Sequence, residues 1–87
     1  MSTVSLTLIG KPGCHLCDDA REVIRTVIDD LPAEAPEVAV TEEDILQDAA
    51  LHAKYVEEIP VVLIEGRVHT YWRVDPARLR TALLEAR

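Results

Sequence analysis

The stretch "GKPGCHLC" (10–17) holds both cysteines of the chain, Cys14 and Cys17, with two residues between them. Two thiols at this spacing support three chemistries: a reversible disulfide, half of a metal site, or a structural staple. The residues that follow narrow the choice, because a helix starts at the pair. Free N–H groups and the helix dipole at a helix N-terminus stabilise an anion. A thiolate is such an anion, so the reading puts Cys14 below the ordinary thiol pKa of about 8.5. Only the thiolate attacks a disulfide. Lys11, three residues before Cys14, adds a positive charge. His15 points outward; protonated, it supports the thiolate, and otherwise it is an exposed residue without a role. Cys17 lies one turn into the helix and is expected to be more buried and less acidic. It acts second, by attacking Cys14 Sγ and releasing the reduced partner.

These residues need a strand before them and a helix behind them, and the sequence supplies both. "TVSLTLI" (3–9) alternates Val4, Leu6 and Leu8 with Thr3, Ser5 and Thr7, a half-buried strand closed by Gly10. From Leu16 the period changes. Leu16, Ala20, Val23, Ile24, Val27, Ile28 and Leu31 fall on one helical face, and Pro32 ends the helix. Asp18, Asp19 and Glu22 suit its positive end. "EVAVTEEDI" (37–45) is ambiguous: "TEED" could cap a helix at Thr41, but Val38 and Val40 favour a second strand to about Ile45, with Asp48 capping a short helix to about Val56 and Leu51, Tyr55 and Val56 inside. "PVVLIEGRVHTYW" (60–72) reads as a hairpin turning at Glu65-Gly66. Asp75 and Pro76 then open a last helix with Leu79, Ala82 and Leu83 inward. The order is β-α-β-α-β-β-α. Its first half is a parallel βαβ unit. The expected fold is α/β, with one four-stranded mixed sheet flanked by three helices.

Length and composition set limits. The chain has 87 residues, which suits a single domain over 1–87. There is no Phe, and Tyr55, Tyr71 and Trp72 are the only aromatics, so the core is built from Val, Ile, Leu and Ala. The net charge of −7 argues against nucleic acid or an anionic membrane as partner. "MSTVSLTLIG" reads as a strand and not as a signal peptide. The expected compartment is the cytoplasm, where a cysteine pair is more often catalytic or metal-binding than structural. Acidic clusters such as Glu42-Glu43-Asp44 and Glu57-Glu58 read as solvated faces.

A second signal is Ile59-Pro60. Proline cannot donate to a sheet ladder, so one at the head of an inner strand needs a reason. A cis bond turns the chain sharply and leaves the Ile59 backbone free to pair with an extended substrate. An ordinary trans proline at a strand start is the plainer alternative.

Together these residues resemble the glutaredoxin branch of the thioredoxin-fold proteins. The matching stretches are "KPGCHLC" after the first strand, "IPVV" opening the third, and the short hairpin before the last helix. The chain looks closest to a small bacterial glutaredoxin-like group, through "CHLCD", "DILQDAALHAKYVEEIPV" and "WRVDPARLRTAL". The resemblance implies a thioredoxin-like, glutaredoxin-type fold, with Cys14 as nucleophile, Cys17 as resolving thiol and Pro60 cis. It implies that Lys11 contacts a carboxylate of glutathione and that Ile59 backbone contacts its cysteine. The resemblance departs at "YWRVDP" (71–76). Glutaredoxins carry a Gly-Gly pair and an acidic residue ahead of the last helix; here Trp72 and Arg73 fill that space, and Asp75 reads first as a helix cap.

The function expected is thiol–disulfide exchange by a monomer with no bound cofactor. Substrates would be a disulfide-containing protein or a low-molecular-weight thiol. Electrons would come from glutathione as co-substrate or from a reductase. Two other readings compete. Cys14 and Cys17 with two of His15, His52 and His69 would make a zinc site, but the histidines lack ligand spacing; an iron–sulfur carrier is disfavoured because Cys17 closes the intramolecular disulfide. A fold retained only for protein interaction, with idle cysteines, is the other.

Overall fold

The computed structural model describes residues 3–86. Its elements are β1 (Thr3–Gly10), α1 (His15–Asp29), β2 (Glu37–Asp44), a 3-10 turn (Ile45–Gln47), α2 (Ala49–Tyr55), β3 (Val61–Ile64), β4 (Arg67–Tyr71) and α3 (Pro76–Glu85). The sheet order is β2-β1-β3-β4. β1 and β2 run parallel, and β3 pairs antiparallel with β1 and with β4. The expected architecture and element order are therefore present.

Alternation along β1 divides the core between the two sheet faces. Val4, Leu6 and Leu8 point to one face and are packed under Ala20, Ile24 and Val27 of α1 and Leu79 and Leu83 of α3. Ile9 points the other way and joins Val61, Ile45 and Tyr55 beneath α2. Because side chains alternate with period two, a register slip would exchange these faces, so the pattern itself fixes the pairing.

Three boundaries differ from the sequence reading. α1 ends at Asp29, short of Pro32, and the Asp30 N–H donates to the Thr26 and Val27 carbonyls. β2 stops at Asp44, whose carboxylate accepts from the Leu46 N–H at 2.8 Å and draws Ile45 into a 3-10 turn. Val56 is 38% exposed rather than inside. Leu51 and Tyr55, four residues apart, already hold the inner stripe of α2, and Val56 sits at its C-cap, rotated out. Ala82 is half-buried, while Leu79 and Leu83 are fully buried. The cap at Asp48 accepts from Ala50 and Leu51, and the cap at Asp75 accepts from Arg78.

Among the described residues no helix is long and apolar enough to cross a membrane. His69 on β4 has a buried Nε2 with no partner among the described residues. Burial lowers its pKa, and the nearby Arg78 charge lowers it further. The folded state therefore favours neutral imidazole. The unfolded chain binds the proton first as pH falls through about 6.5. Stability is then full above that value and declines below it. The melting temperature should drop between about pH 7.5 and pH 5.5, where His titrates, and His69→Gln should flatten that slope. Equal slopes for the two proteins would contradict this assignment.

Candidate functional site

β1 ends at Gly10, and the chain turns through Lys11, Pro12 and Gly13 into Cys14, the N-cap of α1. Cys14 is in extended conformation, φ −101 and ψ 111, and its Sγ accepts the Cys17 N–H at 3.2 Å. A sulfur here does the work of the usual Ser or Asp cap: it satisfies one of the free N–H groups of the first turn. Cys14 is half-buried and Cys17 is 1% exposed, so one thiol faces the surface and the other lies behind it. The two sulfurs are joined as a disulfide, with Cα atoms 5.2 Å apart.

Gly10 permits this arrangement. A Cβ on Gly10 would come within 2.8 Å of Cys17 Sγ and 3.2 Å of its Cβ. The first turn of α1 thus rests directly on the backbone at the end of β1.

The opposite wall comes from β3 and β4. Val61 pairs with Ile9 on one side and Tyr71 on the other, so the start of β3 and the end of β4 lie at the same sheet edge as the cysteine turn. The Ile59–Pro60 peptide bond is cis. Pro60 is buried and Ile59 half-buried. The Pro60 carbonyl accepts from Trp72 N at 2.7 Å, whereas the backbone N–H and C=O of Ile59 have no partner among the described residues. Lys11 and His15 are both exposed, flanking Cys14 on the turn and at the first residue of α1.

Trp72 is the unexpected element. Its φ is +64, a left-handed conformation that a bulky residue rarely adopts. The indole Nε1 donates to the Glu57 carbonyl at 3.1 Å, tying the loop after β4 to the segment that carries Ile59 and Pro60. Trp72 is 53% exposed and Tyr71 38%, with ring centroids 6.0 Å apart. The aromatic pair belongs to the surface at the site. Arg73 shares a depression with Leu16 and Asp19.

On the far side of the pair, Arg21 of α1 forks onto both Glu42 oxygens through Nε and Nη2 and reaches Asp18 through Nη1. The Glu42 carboxylate, then Asp18, raises its pKa further above an already permanent charge. Glu42 and Asp44 are therefore structurally engaged, unlike the purely solvated cluster read from sequence. The histidines are scattered: His15 opens α1, His52 lies on α2 and His69 on β4. Among the described residues no group of three or more His, Cys, Asp or Glu stands in metal-holding geometry.

A mixed sheet in this order, with a Cys-X-X-Cys pair spanning a strand–helix junction, is a thioredoxin-like fold. A thioredoxin variant from Halobacterium salinarum shares it, with TM-score 0.60 at 23% identity over 94% of this chain and 73% of that one. Residues 5–84 match the Glutaredoxin-like domain (DUF836), and the chain belongs to that family. The X-ray structure of protein XcR50 from X. campestris is similar, with TM-score 0.73 and 34% identity over 94% of this chain and 99% of that one. The uncharacterized protein Rv0508 of Mycobacterium tuberculosis is 31% identical over 80 residues, 92% of this chain and 82% of that one. The glutaredoxin-like fold and the adjacent cysteine pair fit a redox role.

Gly10→Ala tests the central contact. Crowding of Cys17 Sγ by the new methyl should lower stability in urea by about 1–3 kcal/mol, the usual range for overpacking. An unchanged midpoint would mean that the approach of α1 to β1 is not limiting.

Proposed function

We propose that the chain is a thiol–disulfide oxidoreductase that works through Cys14 and Cys17. The observation that carries this reading is the asymmetry of the pair: Cys14 is half-buried with its Sγ capping the helix, and Cys17 is buried one turn behind it. In the reduced protein the Cys17 N–H and the helix N-terminus favour the thiolate at Cys14. That thiolate attacks one sulfur of a substrate disulfide. A Cys14–substrate S–S bond forms, the substrate bond breaks, and the first substrate sulfur leaves as a thiolate that takes a proton. Cys17 then attacks Cys14 Sγ and expels the second sulfur. The pair loses two electrons and the substrate gains them.

The unpaired backbone of Ile59 beside cis-Pro60 supports an extended polypeptide as substrate, adding one strand-like pair of hydrogen bonds across from Cys14. Lys11 would place a positive charge beside the reacting sulfurs, with the His15 imidazole on their other side. A reducing compartment such as the cytoplasm suits a dithiol donor.

Trp72 bears on the electron donor. Its indole stands where the family resemblance places a glycine pair open to the γ-glutamyl end of glutathione, and hydrogen bonds at both Nε1 and backbone N hold it there. We read a dithiol reductase as the preferred donor and glutathione as the poorer one.

The test is to follow reduction of a model protein disulfide, then re-reduction of the oxidised chain by glutathione and, separately, by a thioredoxin reductase system. Cys14→Ser should abolish turnover, and Cys17→Ser should accumulate a mixed disulfide on Cys14. The reductase system should be faster, and Trp72→Gly should raise the glutathione rate about tenfold, a typical size for one pocket contact. Turnover that survives Cys14→Ser would sink the proposed reaction; a glutathione rate unmoved by Trp72→Gly would remove Trp72 as the barrier.

A further inference from the structure

Resting on the exchange reaction just proposed, we infer that Asp44 is the proton acceptor for Cys17 in the step that resolves the mixed disulfide. Cys17 must lose a proton before it attacks, and at 1% exposure it does not meet bulk solvent directly. It lines a cleft of about 340 Å³ at the end of β1 and β2, which also meets Asp44.

Strand geometry places the carboxylate. Gly10 and Asp44 are partners in the parallel β1–β2 register. Register partners carry their side chains on the same sheet face. The Cβ direction at Gly10 runs into Cys17 Sγ, so the Asp44 side chain leaves β2 on the face where that sulfur lies. The same parity puts Glu42, partner of Leu8, on the α1 face, and its fork with Arg21 of α1 agrees. By the same alternation Glu43 points to the opposite face.

Glu43 also lines the cleft, but strand alternation directs its side chain to the opposite face, and the remaining charged groups are occupied or of the wrong sign. Glu42 and Asp18 are both held by Arg21. Lys11, on the turn, is a basic residue and not a carboxylate. Asp44 accepts the Leu46 N–H with Oδ1, while Oδ2 has no hydrogen-bond partner among the described residues. A cleft of this size admits water, so a single water can link Cys17 Sγ to Oδ2.

The step balances as follows. Cys17 S–H passes its proton through that water to Asp44 Oδ2. The Cys17 thiolate attacks Cys14 Sγ; the Cys14–Cys17 bond forms as the bond from Cys14 to the partner sulfur breaks. The partner leaves as a thiolate and takes a proton from solvent, and Asp44 returns its own to water. In the reverse direction Asp44 protonates the departing Cys17 sulfur.

Asp44→Asn isolates the proton acceptor, because Asn caps a helical turn as well as Asp. The reduced protein is mixed with dithiobis(nitrobenzoate) in a stopped-flow instrument. The first nitrothiophenolate release reports attack by Cys14, and the second, independent of reagent concentration, reports resolution by Cys17. The second phase should be nearly flat in pH for the wild type between about pH 5.5 and pH 8, above the carboxylate range and below the thiol range. In Asp44→Asn it should be about tenfold slower near pH 6, less than a fully desolvated base contributes, and should rise with hydroxide to meet the wild type at high pH. The first phase should be unchanged. Asp48→Asn, the next cap along and outside the cleft, should match the wild type throughout. A superimposed, parallel or faster Asp44→Asn profile overturns the role of Asp44 while leaving the exchange reaction intact. Absence of a second release from the wild type at every pH overturns both.

Discussion

Cys17 Sγ lies against the backbone of Gly10 with no room for a Cβ between them, and the arrangement of the site follows from that contact. It brings the first turn of α1 down onto the end of β1. It buries Cys17 and leaves Cys14 at the cap, where its sulfur takes the Cys17 N–H. One close approach thus separates two chemically identical thiols into an outer sulfur at the helix cap and an inner, buried one. The difference lies in placement on a helix end and not in residue type.

The two sheet faces hold that contact from either side. Leu6, Leu8 and Val62 fix the sheet beneath α1 and α3, while Ile9 and Val61 fix the same strands beneath α2. Since Val61 pairs with both Ile9 and Tyr71, the cis-proline segment and Trp72 are delivered to the cysteine edge by strand pairing alone. Trp72 closes the circuit through the Glu57 carbonyl. Its left-handed backbone is unfavourable for a side chain of this size and is held by two hydrogen bonds. Strain is thus kept in the loop that stands at the cysteine end of the sheet.

The sequence made the elements and the pair legible because both rest on local rules. The period-two pattern of Val4, Leu6 and Leu8 and the helical stripe of Ala20, Ile24 and Val27 are read directly from spacing, and so are the caps at Asp48 and Asp75. What stayed hidden depends on contacts between distant segments. Gly10 looked like punctuation, since nothing local says that a sulfur seven residues later will press on it. Asp44 looked like part of a solvated acidic run, since its face is set by the β1–β2 register. The sequence pattern carries the helix to Val56 and puts that side chain inside, whereas α2 ends one residue sooner. The resemblance puts Trp72 at a glycine position, but its positive φ and its bond to Glu57 are tertiary facts.

The central claim is that position at the helix end makes the two thiols different. Site-resolved alkylation of the fully reduced protein by iodoacetamide, followed by mass spectrometry from about pH 5 to pH 9, measures this directly. The account predicts that Cys14 is modified first, with its rate reaching half-maximum below the ordinary thiol value of about 8.5, and that Cys17 lags across the range. Equal labelling of the two thiols, or Cys14 titrating at or above the value of a free thiol, would contradict it.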